Sequence, residues 1–209
     1  MKRLLVVHRF PVVRYGLVKL VQEHFHGVAV AEAGTVSQAL QRVREEDWDL
    51  VVTGLSFGGR GGLELLKAIK DLRPKVAVLV FSAHSEELYA RRSFKAGAAG
   101  YVTKDSSQAE LVHAIRKVMS GDRYMSSKLR ETLVGNLEPL RVPPHQALSD
   151  REFEVMRLLA SGKTVGEIAS LLSLSVQTIS TYRARLLHKL AMKNNAQVMR
   201  YSIENDLIE

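Results

Sequence analysis

The first 120 residues alternate short apolar runs with longer amphipathic segments, and this alternation constrains the fold more than any other feature. Five runs are short and apolar enough to form buried strands: Leu4–Val7, Val28–Ala31, Leu50–Val52, Val76–Phe81 and Tyr101–Val102. Apolar residues recur at helical spacing in Val12–Phe25, Ser37–Glu46, Leu63–Leu72, Glu87–Ala96 and Gln108–Ser120. Because parallel strands need crossover helices, these repeats predict an α/β fold, a five-stranded parallel sheet with helices on both faces.

In such a sheet, ligand chemistry gathers at the carboxyl ends of the strands. The segments that follow the first, third, fourth and fifth strands are His8–Phe10, Thr53–Leu55, Ser82–His84 and Thr103–Lys104. None of them contains an aspartate or a glutamate. An enzyme would need a carboxylate or an activated nucleophile at this edge, so we do not expect enzymatic activity.

The pattern changes after Gly121, and the change divides the chain into three parts. Residues 122–147 are typical of a linker, because Ser127–Val134 is compatible with one short helix and Gly135–Ala147 contains three prolines. From Leu148 onward only helical patterns occur. We therefore expect one domain at residues 1–121, a linker at 122–147 and an all-α domain at 148–209.

The C-terminal helices have clear start and stop signals. Ser149 and Glu152 have the spacing of a capping box, and the helix that they begin runs to Ser161-Gly162. A second helix, Val165–Leu172, is joined by the short link Ser173–Ser175 to a longer helix, Val176–Leu190, and a fourth helix follows at about Ala196–Asn205. Two helices joined by a turn of this length, the second of them basic, are typical of a DNA-binding helix-turn-helix.

The longer helix has one apolar face and one face suited to DNA. Val176, Ile179, Leu186, Leu187 and Leu190 are expected to pack inward. Residues of the opposite stripe and of nearby helix starts are predicted to contact bases or phosphates: Lys163, Thr164, Gln177, Thr178, Ser180, Thr181, Tyr182, Ala184, Arg185 and Lys189. The formal net charge is +8, and no acidic residue occurs between Ile168 and Ile203, so double-stranded DNA is the expected partner.

These residues carry a resemblance to a known family. Leu148–Glu152 (LSDRE), Leu159–Ala169 (LASGKTVGEIA), Leu174–Arg183 (LSVQTISTYR) and Lys189–Leu190 resemble the LuxR-type helix-turn-helix of NarL/FixJ-family response regulators. The first half resembles the flavodoxin-like receiver domain of the same family, including Gly97–Asp105 (GAAGYVTKD). The resemblance implies a four-helix DNA-binding domain whose last helix often forms a dimer contact, and hence a homodimer.

The receiver half departs from the family pattern at its phosphorylation site. Where the resemblance implies an acidic pair that binds Mg²⁺, the chain has His8 and Arg9, and where it implies the phosphate-accepting aspartate, the chain has Gly54. Ser82 and Lys104 match the hydroxyl and the lysine that contact the phosphoryl group, and Tyr101 matches the aromatic residue whose rotation reports activation. Mg²⁺ requires hard oxygen ligands. We expect a receiver that cannot be phosphorylated, with Ser56 as the alternative acceptor to be tested.

Other classes of site find no support in the composition. The chain has no cysteine, its seven histidines lack metal-ligand spacing, and we expect neither a cofactor nor a metal. No apolar run approaches the roughly 20 residues of a membrane span, and because the chain has no cysteine, a reducing cytosol is the expected compartment.

Two functions remain open for the chain as a whole. The first is a transcription regulator whose N-terminal domain serves dimerisation and takes a signal without phosphate, from a small-molecule or anionic ligand, from a partner protein or from its own abundance. The second is an interaction module that titrates a kinase or a sister regulator, with a degenerate DNA-binding tail. The intact caps and the basic stripe favour the first function.

Overall fold

The computed structural model describes residues 1–57, 61–127, 129–130, 143–205 and 207–208. The chain divides into two compact units, Met1–Gly135 and Asn136–Glu209. The predicted α/β and all-α architectures are confirmed, and the bounds of the predicted elements agree with the structure within two residues. Half of the predicted linker, including most of its short helix, lies outside the described residues.

The first unit is a parallel five-stranded sheet with the strand order β2-β1-β3-β4-β5. Its strands are β1 (Lys2–Val7), β2 (Val28–Ala33), β3 (Leu50–Thr53), β4 (Ala77–Ser82) and β5 (Gly100–Thr103). Its helices are α1 (Pro11–His24), α2 (Val36–Glu45), α3 (Gly62–Leu72), α4 (Glu86–Lys95) and α5 (Gln108–Met119).

Helices cover the sheet on both faces. Leu4 and Leu50 belong to a core shared with α1 and α5, whereas their neighbours Leu5 and Val51 point to the other face and are also fully buried. Helices α2, α3 and α4 pack against one another in sequence order. Continuous apolar strands of this kind are expected for a parallel sheet that is buried on both sides.

The sheet brings four strand ends to one edge. Parallel pairing sets Val7 of β1 beside Thr53 of β3, and Ser82 of β4 beside Thr103 of β5. The residues that follow these strand ends, which include His8, Gly54 and Lys104, therefore meet although they lie far apart in sequence. This edge is the site where the sequence predicts degenerate phosphorylation chemistry.

The second unit is helical, with α6 (Asp150–Ala160), α7 (Val165–Leu172), α8 (Val176–Lys189) and α9 (Asn195–Glu204), preceded by a 3₁₀ turn at Pro144–Ala147. Helices α6 and α7 each begin with a complete capping box, at Ser149 and Thr164. Helix α7 ends at Ser173 in the left-handed conformation, with φ of 52°, and this sharp turn redirects the chain into α8. Among the described residues, none of the helices has the length and apolarity required to cross a membrane.

Candidate nucleic-acid interface and strand-end site

Helix α8 presents a polar, acid-free stripe on the surface of the second unit. The exposed residues of the stripe are Gln177, Ser180, Thr181, Ala184, Arg185 and His188. Opposite the stripe, Ile179 and Leu186 are fully buried and fix the rotation of the helix. Arg185 forms no hydrogen bond or ion pair with any residue that the structure describes, so its guanidinium is available to a partner.

Two polar contacts hold α8 in place. Lys189 donates a hydrogen bond of 2.6 Å to Glu152, the buried carboxylate that also accepts from the backbone N–H of Ser149. Burial raises the pKa of Glu152, but the hydrogen bonds from Lys189 and Ser149 outweigh burial and hold its pKa below the ordinary value. Arg183 donates to the side chain of Asn195 at 2.7 Å and so ties α8 to the first residue of α9.

Several residues predicted to contact DNA already have internal partners. Thr164 caps α7 and donates to Glu167, Thr178 shares a hydrogen bond of 2.8 Å with Ser175, and Thr181 donates to the carbonyl of Gln177. Lys163 and Tyr182 are half-buried. The roles of these residues and of Lys189 in DNA binding stay predictions.

One expectation for α8 is wrong. Val176 was expected to pack inward, but it is the first residue of the helix and its exposed fraction is 56%. Helical spacing places Val176 on the same face as the buried residues, but it does not show whether a neighbouring element covers the first turn. No described residue buries Val176.

At the sheet edge, His8 is the residue around which the site is built. Its exposed fraction is 4%, and both of its ring nitrogens have partners. The backbone nitrogen of Phe10 lies 3.1 Å from Nδ1, and Nζ of Lys104 lies 2.8 Å from Nε2. Arg14 also donates to the carbonyl of His8 at 2.8 Å, which fixes the backbone from which the ring projects.

The ring of His8 lies against Gly54. A Cβ atom on residue 54 would stand 2.7 Å from Cδ2 of His8 and 3.1 Å from Nε2, closer than side chains pack. Gly54 also donates its backbone N–H to Val7, so its position at the end of β3 is fixed. The space beside position 54 is therefore filled by an imidazole from β1's carboxyl end.

The other predicted strand-end residues form a connected set. Lys104 donates its backbone N–H to the carbonyl of Ser82, and the hydroxyl of Ser82 accepts from the N–H of His84. Tyr101 is fully buried, and its hydroxyl donates to the carbonyl of His84 at 2.8 Å. The hydroxyl of Ser56 lies 3.2 Å from Nε2 of His84, which sequence reasoning did not single out as a contact.

Two cationic side chains, Arg9 and Lys104, affect the titration of His8 at this edge. Burial, followed by the nearby charge of Lys104, lowers the pKa of His8 from 6.5 to about 4, so the imidazole is neutral at pH 7. Burial and the charge of Arg9 lower the pKa of Lys104. The guanidinium of Arg9 stacks over the ring of Phe10 at 4.2 Å from its centroid. Within the described part of the chain, no group of three or more histidines or carboxylates could hold a metal ion.

Comparison with known proteins gives the class to which these two units belong. The model of the response regulator receiver domain matches residues 4–116, and the model of bacterial regulatory proteins of the luxR family matches residues 146–202. Transcriptional activator protein ExaE of Pseudomonas putida is 33% identical over 208 residues, which cover 98% of this chain and 97% of that protein.

Solved structures of response regulators also resemble this chain. A two-component response regulator of the LuxR family from Aurantimonas sp. SI85-9A1 is 36% identical, with a TM-score of 0.59, over 64% of this chain and 95% of that chain. RcsB from Salmonella enterica serovar Typhimurium shares the fold, with a TM-score of 0.67 and 24% identity over 96% of this chain and 98% of that chain.

A receiver-type sheet followed by a helix-turn-helix unit defines a response regulator. This chain belongs to the response regulators that carry a luxR-type C-terminal domain, a family of DNA-binding transcription regulators.

Proposed function

We propose that the protein regulates transcription by binding double-stranded DNA through α8, and that its receiver unit works without phosphorylation. The observation that carries the DNA-binding proposal is the exposed, acid-free stripe of α8, in which Arg185 has no partner among the described residues. The ExaE relative is a transcriptional activator by name, and the RcsB structure of the same fold was solved on promoter DNA.

DNA binding is tested by its dependence on salt. Cations that replace counterions on phosphates give an affinity that falls steeply as salt rises. The binding of the full chain to duplex DNA, measured at several salt concentrations, should show this slope. If the folded protein binds no duplex at low salt, the proposal is wrong, and the alternative of a protein that only titrates a kinase or a sister regulator gains support.

The strand-end residues support a receiver that is not phosphorylated. A glycine offers no carboxylate to accept a phosphoryl group, and His8 fills the space beside it. Mg²⁺ prefers oxygen ligands in near-octahedral geometry. The residues at the metal-binding turn are an imidazole with both nitrogens engaged and the cationic Arg9, so they do not fit Mg²⁺.

This part of the proposal is tested with a phosphodonor. After incubation with acetyl phosphate and Mg²⁺, mass spectrometry should find no stoichiometric adduct, and beryllium fluoride with Mg²⁺ should leave DNA affinity unchanged. A stoichiometric adduct on Ser56 or on a neighbouring residue would refute the assignment.

We propose further that the protein acts as a homodimer, with α9 contributing to the interface. Two apolar residues of α9, Met199 and Ile203, have exposed fractions of 37% and 63%. A dimer of this type would protect two half-sites about one helical turn apart. Replacing Ile203 by Asp should weaken dimerisation in sedimentation experiments, whereas the same change at Leu171, an exposed leucine on α7, should not.

A small-molecule or anionic input signal would have to act outside the position beside Gly54. His8 is 4% exposed and fills that position, so a ligand would contact the outer side of the site, where Arg9 is exposed and Lys104 is half-buried. Partner proteins remain the other candidate source of a signal.

A further inference from the structure

Lys104, the partner of His8, also takes part in a series of hydrogen bonds that includes the connection between β4 and α4. The backbone N–H of Lys104 donates to the carbonyl of Ser82 at 2.8 Å. The hydroxyl of Ser82 accepts from the N–H of His84 at 3.2 Å, and the carbonyl of His84 accepts from Tyr101 at 2.8 Å. The connection between β4 and α4, residues 82–85, is thus fixed by groups on β5 and on the residue that follows it.

The side chain of Lys104 is a half-buried amine that requires a hydrogen-bond partner. Burial, and after it the nearby charge of Arg9, lowers the pKa of Lys104. Among the described residues, the hydrogen-bond partner of its amine is Nε2 of His8, and no carboxylate pairs with it. A half-buried amine that has no carboxylate needs an acceptor or must lose its proton.

The imidazole of His8 supplies an acceptor to Lys104 in one of its two neutral tautomers. A neutral imidazole has a single acceptor nitrogen, so the ring accepts a hydrogen bond at Nδ1, near Phe10, or at Nε2, near Lys104, but not at both. The contact with the ammonium of Lys104 is the shorter one, at 2.8 Å against 3.1 Å, and Nε2 accepts from it when the ring proton lies on Nδ1. Because the pKa of His8 is lowered to about 4, the ring is neutral at pH 7 and keeps an acceptor nitrogen.

We propose that His8 is an internal ligand of Lys104, which occupies the place of an external phosphoryl group and holds the β4–α4 connection in one conformation. The inference rests on the proposed phosphate-free receiver and adds the device that replaces the phosphate. Gly54 belongs to this device, because a Cβ atom at that position would stand 2.7 Å from the ring.

Removal of the ring should therefore leave a cavity that the protein does not fill by itself. Gly54 has no side chain to move into the space, and the neighbouring Val7 and Thr53 are strand residues that are fully buried in the sheet. Lys104 would lose its partner beside Arg9. A small imidazole added to the solution has the shape and the hydrogen-bonding groups to enter the cavity.

The experiment is hydrogen exchange on the full chain without any phosphodonor. In His8→Ala, backbone amides of residues 82–86 and 101–104 should exchange about tenfold faster, the change that corresponds to the loss of one hydrogen bond. Added imidazole should restore slow exchange. Pyrrole has a ring of similar size but no acceptor nitrogen, so it should not restore it.

Three further variants keep the test decisive. Val43→Ala, at a fully buried residue of α2, reports general destabilisation, and His26→Ala, at an exposed histidine, controls for the loss of a histidine. His8→Gln, whose amide reaches about as far as Nε2, should exchange more slowly than His8→Ala if the alanine variant folds poorly. Faster exchange of the same segments in Val43→Ala, or restoration by pyrrole, would overturn the proposal. Neither outcome depends on whether the protein can be phosphorylated.

Discussion

The ring of His8 fills the space that a side chain on Gly54 would need. Cδ2 of the imidazole lies 2.7 Å from the point where a Cβ atom of residue 54 would stand, and the ring is nearly inaccessible to solvent. The histidine at position 8 and the glycine at position 54, both departures from the receiver pattern, are therefore structurally dependent on each other. A side chain at position 54 requires that the ring move, and the ring can stay only beside a glycine.

This relationship predicts a strong coupling in a double-mutant cycle. Gly54→Ala should lower the free energy of unfolding by roughly 1–3 kcal/mol, because the methyl group overpacks a ring held at both nitrogens. In a His8→Ala background the same change should cost much less, since the space is then empty. The single tryptophan, Trp48, is buried in the first unit, and its fluorescence during urea unfolding reports this unit alone. Additive effects of the two substitutions would show that the ring and residue 54 do not compete.

The low pKa of His8 predicts a specific dependence of stability on pH. The folded pKa is about 4 and the ordinary value is 6.5, so between these pH values the unfolded chain binds a proton that the folded chain does not. The free energy of unfolding should therefore fall as the pH falls from 6.5 to 4, by roughly 1–3 kcal/mol from this residue. Trp48 fluorescence should show a shallower decline in His8→Ala than in the parent, and an unchanged decline in His26→Ala. Equal slopes in all three proteins would mean that His8 is not held neutral.

The sequence predicts the positions of the strands and helices better than the contacts between side chains. Strand and helix positions follow from apolar spacing, and parallel order then brings His8, Gly54 and Lys104 to one edge. The contact of His8 with Lys104 joins residues 96 positions apart, and it depends on the direction of a ring that no local pattern specifies. Val176 and Lys189 show the same limit on α8, where helical spacing gives a face but does not identify which neighbour covers it or pairs with it.

Lys189 should contribute to the stability of the second unit through Glu152. Lys189→Met keeps the aliphatic stem but removes the donor to a buried carboxylate, so the unfolding of this unit should be easier by about 1–2 kcal/mol. Lys193→Met, at an exposed lysine, is the matched control in calorimetry. Salt-dependent DNA binding of the same variants separates the two roles. A salt slope reduced by about one in Lys189→Met would add a phosphate contact to the structural one.

Arg185 should contribute to the choice of DNA sequence. Its guanidinium is exposed in the middle of the stripe, and arginine bonds two acceptors of guanine in the major groove. Arg185→Ala should cost roughly 1–3 kcal/mol on a specific site and much less on arbitrary duplex. Arg200→Ala, on α9 and paired with Glu204, is the control for the loss of an arginine. Equal weakening on every duplex would limit Arg185 to a phosphate contact.

Restoration of an aspartate at position 54 should not restore phosphorylation. In Gly54→Asp the new side chain meets the His8 ring, whose Nε2 contacts Lys104, and the cationic Arg9 remains where the resemblance implies a Mg²⁺ ligand. Three obstacles therefore persist: the space is filled, the lysine is engaged and the metal lacks carboxylates. Replacement of His8, Arg9 and Gly54 together by aspartate removes all three. After incubation with acetyl phosphate and Mg²⁺, mass spectrometry should show an adduct only in the triple variant. An adduct in Gly54→Asp alone would mean that His8 and Arg9 do not close the site, whereas its absence from a folded triple variant would place the block elsewhere in the receiver unit.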